Sequence, residues 1–491
     1  MDRAAFTRRT LLLGTASGLS VFALAACTTA QPQPTPSVTG TPTPTLVPQP
    51  LSMRRTDWAG DAFARGSFSY PAVGATPEHR AALREPVSDR VFFAGEATAT
   101  DEPGTVQGAR ESGLRAGAEV VALADDTERI AVIGAGMAGL SAARLLVDAG
   151  FDVIVIEARD RTGGRIDTVT DADWPFPIEL GPSFIRSSAT TDLDEQLTVL
   201  GAASVEFTTQ AEVRTRAGAV VDLDPVGAEG MAAALAWAAD QARDVSVERA
   251  IVDSGNGTLS TTVADTGVSP ADWLDHDLAT GLKVDTGAGP GEVSAWYAPG
   301  APALSDSDAS ADSGTDSGTD ATPPAPRLVL GGFRTLLDDL AADIDVVTSN
   351  VVTLVAYDDN GVSLRLGAGE SMSVDRVIVT IPLGVLQDEA LEFSPALPFA
   401  HRGAIAALGM GVLDKVWLRF EEPFWTTDAP LWTIVGGDPD FPVWVNLLPL
   451  TGEPVLMGVV AAENADRLAS VTDEDFLVAA LSALEPFLAA P

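Results

Sequence analysis

The residues that first suggest chemistry are three glycines and an acid. Gly134, Gly136 and Gly139 fall at GxGxxG spacing, and Glu157 closes the next apolar run. In this pattern the first glycine permits a tight turn and the second lets the backbone approach a pyrophosphate. The third lets a helix pack closely on a strand. The amides of Met137 and Ala138, which open that helix, then face the phosphates, and the acid takes the ribose hydroxyls. A second signal is scarcity. The chain holds only two lysines, Lys283 and Lys415, among 30 basic residues. A lysine retained in an arginine-dominated chain is retained for something a guanidinium does poorly, such as shifting its pKa on burial.

The elements needed to hold these residues are legible nearby. Ile130–Ile133 is a short β-prone run, Leu140–Ala149 has helical character and ends at Gly150, and Phe151–Ile156 is a second strand. Strand, glycine turn, helix, strand and terminal acid make a mononucleotide-binding unit. The spacing therefore predicts an α/β, Rossmann-like domain in the middle of the chain.

At 491 residues the chain exceeds one compact core and predicts two or three domains. Its formal charge of -39 argues against nucleic acid and favours steering of cationic small molecules. Cys27 is the single cysteine, and His79, His276 and His401 fit no metal spacing, so no metal site is expected. Arg8-Arg9 before an apolar run resembles a twin-arginine export signal, and Leu24-Ala25-Ala26-Cys27 resembles a lipobox. The expectation is an exported protein, held to the outer face of the membrane only by lipid on Cys27, or secreted. Residues 28–52 read as an extended, unpacked tether rich in Thr and Pro, and 305–326 as a disordered acidic insert.

Further stretches carry a family resemblance. Arg159-Asp-Arg-Thr-Gly-Gly-Arg165 and Ile178-Glu-Leu-Gly181 follow the ribose acid. Residues 65–70 read RGSFSY, Val91–Thr98 reads VFFAGEAT, and Gly104-Thr-Val-Gln-Gly-Ala109 precedes Ser112-Gly113. Leu413-Asp-Lys-Val-Trp-Leu-Arg-Phe420 runs into Pro423-Phe-Trp425. Together they resemble the flavin amine oxidase family, with polyamine and monoamine oxidases as members. In that family the RGSYSY, FFAGEAT and GTVHGA stretches close the chain, whereas here they precede the GxGxxG. The resemblance therefore implies a circularly permuted member. Ala124–Glu128, which spans at most about 18 Å, joins the family's usual end to its usual beginning.

The resemblance implies FAD, bound non-covalently because Ser67 stands where some members carry a linking cysteine. It places Ala158, Arg159, Gly163, Gly164 and Arg165 along the cofactor, and Gly181, Pro182 and Ser183 beside the flavin, with Val352 also in contact. Gly95 and Glu96 are expected at the ribityl chain, and the backbone of Thr105 and Val106 at the pyrimidine. Lys415 aligns with the lysine that contacts flavin N5 through a water. Phe68 and Thr105 occupy the two positions of the substrate-flanking aromatic cage, which is thus at best half present. Arg186 leaves open a carboxylate-bearing substrate, and a core role is the stronger expectation for Trp296-Tyr297.

The expected architecture is a glutathione-reductase-type FAD domain from 53–190 and 328–394, with an α+β substrate domain from 191–327 and 395–491. Residues 191–250 are read as Ala-rich with helical spacing. The expected reaction is oxidation of a primary or secondary, polyamine-like amine, with dioxygen as acceptor. An amino-acid oxidase, a protoporphyrinogen-oxidase- or desaturase-like enzyme, and a non-catalytic flavin-binding lipoprotein remain as alternatives.

Overall fold

The computed structural model describes residues 45–185, 193–208, 210–302 and 325–488. Cys27 and the twin-arginine stretch, Arg186, nearly all of the acidic insert and Pro491 lie outside the described residues. The described chain opens with strands β1 (Ser52–Arg55), β2 (Phe68–Tyr70) and β3 (Val91–Phe93), with helix α1 (Pro77–Arg84) before β3. Helix α2 (Val106–Leu123) leads through residues 124–128 into strand β4 (Arg129–Ile133), helix α3 (Met137–Asp148) and strand β5 (Asp152–Ile156).

A five-stranded sheet carries the glycine turn. Its order is Asp345–Val347, β5, β4, Arg376–Val379, β3, and every pairing is parallel. These strands are continuous apolar runs because both faces are covered. Alternate residues divide between two cores. Phe92, Ile130, Val132, Val153, Val155 and Ile378 pack under α2 and α3. Val91, Phe93, Ala131, Ile133, Ile154, Ile156 and Val377 pack under an antiparallel layer built on Val352–Asp358 and Gly361–Leu366. Helices α2 and α3 approach closely because Gly113 lacks a side chain, since a Cβ there would sit 2.1 Å from the Ala138 carbonyl oxygen.

The second layer is a seven-stranded mixed sheet with the order β1, Leu413–Arg419, Val455–Ala461, Val443–Asn446, Leu431–Val435, Glu212–Thr215, Val220–Val221. Its core is aromatic, with Phe420, Trp432, Phe441, Trp444, Phe476 and Phe487 all fully buried.

Three boundaries differ from expectation. The end of the expected tether is anchored rather than free: Val47 is 3% exposed in the core beside Phe420 and Trp425, and Leu51 N–H donates to the Arg419 carbonyl. An apolar residue at this point completes a core, which the surrounding prolines concealed. Residues 53–55, assigned to the FAD domain, instead pair antiparallel with residues 416–418 in the second sheet, as does Ser52 of the tether with Arg419. Within 191–250, three strands (Ser204–Glu206, Glu212–Thr215, Val220–Val221) precede the Ala-rich helix Val226–Ala239. There, cross-strand partners outweigh local alanine content.

Candidate active site

A cavity of about 420 Å³ runs between the two sheets. At one end, Gly134 leaves β4 with φ +106, and Gly136 caps α3 without a side-chain hydrogen bond. The first-turn amides of α3 are therefore available to an anion. Gly136 and Gly164 keep their Cβ directions open: an added carbon would meet nothing nearer than 3.7 Å and 3.8 Å, respectively. Glu157, 5% exposed, stands at the tip of β5, and its carboxylate accepts from Ala135 N–H (2.7 Å) and Arg159 N–H (2.9 Å). A backbone cradle with a fixed acid beside it fits a dinucleotide pyrophosphate and ribose.

Gly139, the third glycine of the GxGxxG, does not line the cavity. A Cβ there would lie 1.9 Å from the Gly134 carbonyl oxygen and 3.0 Å from Thr380 Oγ1, so its glycine serves the packing of α3 on the turn. Every other residue expected at the cofactor borders this cavity: Gly95, Glu96, Thr105, Val106, Gly134, Gly136, Met137, Ala138, Glu157, Ala158, Arg159, Gly163, Gly164, Arg165, Gly181, Pro182, Ser183 and Val352. Lys415 and Phe68 join them. Trp296 does not, because its indole donates to the Ala238 carbonyl within the helical core.

The middle of the cavity is organised by Glu96. This 4%-exposed carboxylate accepts from Ser69 Oγ (2.6 Å), Gly104 N–H (3.0 Å) and Arg165 Nη1 (2.9 Å). Burial alone would raise its pKa, but Arg165 and Arg80 outweigh that and hold it below the ordinary value. Glu96 thus ties β2, the α2 entrance and the GGR turn to one charge. The Arg159 guanidinium is also committed within the protein, to both oxygens of Asp61 at 2.7 Å. Thr105 caps α2, accepting from Gly108 N–H (3.0 Å) and donating to the Glu102 carbonyl (2.7 Å).

At the far end, Lys415 projects from the strand Leu413–Arg419 and is 6% exposed. Its Nζ donates to the Gly181 carbonyl and to Ser183 Oγ (2.7 Å). Desolvation lowers its pKa to about 8, with Glu179 pulling the other way. Phe68, Phe184, Met457 and Val459 give this end apolar walls. An amine of shifted pKa held against an apolar chamber can orient a polar atom or hold a proton beside a bound ring.

Sequence reasoning missed several residues in and beside the cavity. Trp58 and Phe63 line the cavity, yet they lie just ahead of the RGSFSY stretch and carry no periodic signal. Met457 and Val459 come from a strand that reads only as buried. Glu179 falls inside the Ile178–Gly181 stretch, but no role followed from its spacing.

The family model described as flavin containing amine oxidoreductase matches residues 39–121, 137–238 and 293–491. The chain is 28% identical to polyamine oxidase 2 of Arabidopsis thaliana over 353 residues, which is 70% of this chain and 69% of the relative. It is 26% identical to polyamine oxidase 3 of Oryza sativa subsp. japonica, over 73% and 72% of the two chains. Among solved structures, putrescine oxidase bound to putrescine aligns with a TM-score of 0.54 at 21% identity, covering 74% of this chain and 82% of that one. That last likeness concerns the fold.

Proposed function

The chain belongs to the flavin containing amine oxidoreductase family of FAD-dependent oxidoreductases acting on amines, and from that premise we propose that it is a polyamine-type amine oxidase. The observation that carries this reading is Lys415, a buried amine of lowered pKa in the same cavity as the dinucleotide cradle. Bound FAD would supply two-electron chemistry, accepting a hydride from the carbon beside a neutral amine and passing the two electrons to dioxygen as hydrogen peroxide, while the imine formed would hydrolyse to a carbonyl.

The protein's own groups orient and exclude. The α3 entrance, Glu157 and the Gly163–Gly164 turn hold the dinucleotide half. Lys415, fixed by Gly181 and Ser183, presents its Nζ toward the redox end. The N-terminus of α2, capped by Thr105, would direct its amide dipoles at a bound flavin and favour an electron-rich state. Phe68 and Phe184 exclude water from the substrate's reacting carbon. The charge of -39 draws cations toward the molecule. Retention of FAD is non-covalent in this reading, because Ser67 bears no thiol and its hydroxyl is bonded to the Leu413 backbone.

Circular permutation is part of the proposal. It is supported by β3, an edge strand of the dinucleotide sheet that precedes β4 in the chain, and by the five-residue link 124–128 between α2 and β4. Export by the twin-arginine route with a lipid on Cys27 is proposed on the N-terminal sequence, and metabolic labelling of wild type against Cys27→Ala tests it. The function itself is tested by peroxide release from the flavin-loaded protein over polyamines, monoamines and amino acids. Peroxide with di- or polyamines is expected. A bound-flavin spectrum with no peroxide from any amine overturns the oxidase reading.

A further inference from the structure

Beneath Lys415 lies an acid to which the proposed reaction gives no part. Glu179, on the short strand Ile178–Glu179, is 1% exposed. Its Oε1 accepts from Thr168 Oγ1 (2.7 Å) and Phe333 N–H (2.7 Å). Its Oε2 is fully buried and has no hydrogen-bond partner among the described residues. A carboxyl oxygen left so is costly unless a nearby charge compensates it or a proton occupies it.

The surroundings offer one such charge. The Glu179 carbonyl accepts from Trp417 Nε1 (3.1 Å), two residues along the same strand from Lys415 and therefore on the same face. The Lys415 amine is held by Gly181 and Ser183, in the loop that leaves Glu179, and Ser183 Oγ also reaches back to the Glu179 carbonyl (3.5 Å). The Glu179 backbone, the loop that follows it and the amine are thus joined by hydrogen bonds, which places the carboxyl near the amine without a direct bond between them. Among the described residues, the charged groups on the neighbouring elements have partners of their own. Asp167, which pushes Glu179 upward, is paired with Arg161 (3.0 Å). Arg334 pairs with Asp338 at the surface, Asp414 faces Thr56 and Trp58, and Arg419 donates to the Asp173 carbonyl.

We propose that Glu179 is a positioning residue for Lys415, the buried carboxyl whose charge decides whether that amine is protonated when it faces the cofactor. The fields agree in direction. Burial raises Glu179 to about 7 and Lys415 opposes the rise, while burial lowers Lys415 to about 8 and Glu179 opposes the fall. Near neutrality the two groups therefore compete for protons in the same range, and an ionised Glu179 keeps the amine charged. Deprotonation of Lys415 and ionisation of Glu179 are coupled titrations. The inference rests on Lys415 facing the cofactor, but its test does not require turnover.

Having only two lysines makes the measurement direct. Lysine labelled with 13C at Cε gives two side-chain signals in the flavin-loaded protein, from Lys283 and Lys415, assigned with Lys283→Arg. The Lys415 signal is followed from pH 5 to 11 in wild type and in Glu179→Gln, which preserves shape and the Oε1 acceptor. The Lys415 step is expected to fall by about one pH unit in the variant, the size of shift a nearby charge produces. A step that stays in place or rises overturns the proposal. Should Glu179→Gln fail to fold, wild type alone decides: coupling gives the Lys415 signal two inflections, and a single inflection overturns the proposal. Glu179→Asp restores the wild-type step if charge is what matters. Absence of peroxide would refute the oxidase reading and leave this titration untouched, so the two failures are distinguishable.

Discussion

Replacing Lys415 with Met removes the one buried amine of the site, and its cost follows from linkage. The unfolded amine titrates near 10.5 and the folded one near 8. Between those values the unfolded chain binds more protons than the native one, so wild-type stability rises with pH there. Below pH 8 the native state carries the full penalty, about 3 kcal/mol at 1.36 kcal/mol per unit. Methionine removes that penalty. It also takes the donor from the Gly181 carbonyl and Ser183 Oγ, a loss of about 1–3 kcal/mol for buried groups. The variant should therefore be equal to wild type or up to about 2 kcal/mol more stable at pH 7. Wild type should then gain on it by about 1.4 kcal/mol per pH unit between 8 and 10.5. Glu179, left without the ammonium, adds to the same trend. Urea unfolding of both proteins at pH 7, 9 and 10.5 measures the difference. A stability difference that does not change with pH would refute the assignment of Lys415 as a buried, shifted amine. In the same variant, amine-driven flavin reduction should slow by about 10²-fold or more, as for loss of a group handling a proton, with FAD still bound.

Further outcomes can be checked on single substitutions. Gly139→Ala puts a methyl 1.9 Å from the Gly134 carbonyl oxygen, so it should displace α3 from the turn and weaken FAD retention, read by flavin release on gel filtration, although residue 139 does not border the cavity. Glu96→Gln leaves the buried Arg80 and the half-buried Arg165 without their carboxylate and should cost about 3 kcal/mol in urea unfolding at pH 7. Because the Glu96 pKa is lowered in the fold, its contribution is present above the unfolded carboxylate range and is lost as pH falls through the folded value, so the two proteins should converge in acid. Asp414 is raised from 3.8 to about 6 by burial, so the fold weakens as pH rises between those values and carries the full penalty above about 6. Asp414→Asn, which keeps an acceptor for Thr56 and Trp58, should raise Tm at pH 8 and lose that gain by pH 4.

The dinucleotide unit was legible because its signals are local. A glycine needed for a positive φ, an apolar run with both faces buried and an acid at the strand tip are fixed within some 30 residues, and the structure puts Gly134, Gly136 and Glu157 on one cavity. The packing role of Gly139 was equally readable, but its distance from the cavity was not, because only the tilt of α3 over the turn decides which glycines face outward. Lys415 was marked by lysine scarcity and by family resemblance. That its amine is buried, bonded to the loop after Glu179 and shifted in pKa depends on a contact across more than 200 residues of chain. The same holds for Val47, hidden among prolines yet needed by a distant aromatic core, and for β1, whose partner strand begins at Leu413. Sequence by itself determined the glycine turn and the acid at the strand tip, since turn geometry and periodicity are properties of neighbouring residues. Tertiary structure alone decided which charges are desolvated together, since the field at Lys415 depends on burial and on Glu179, brought beside it only by the fold.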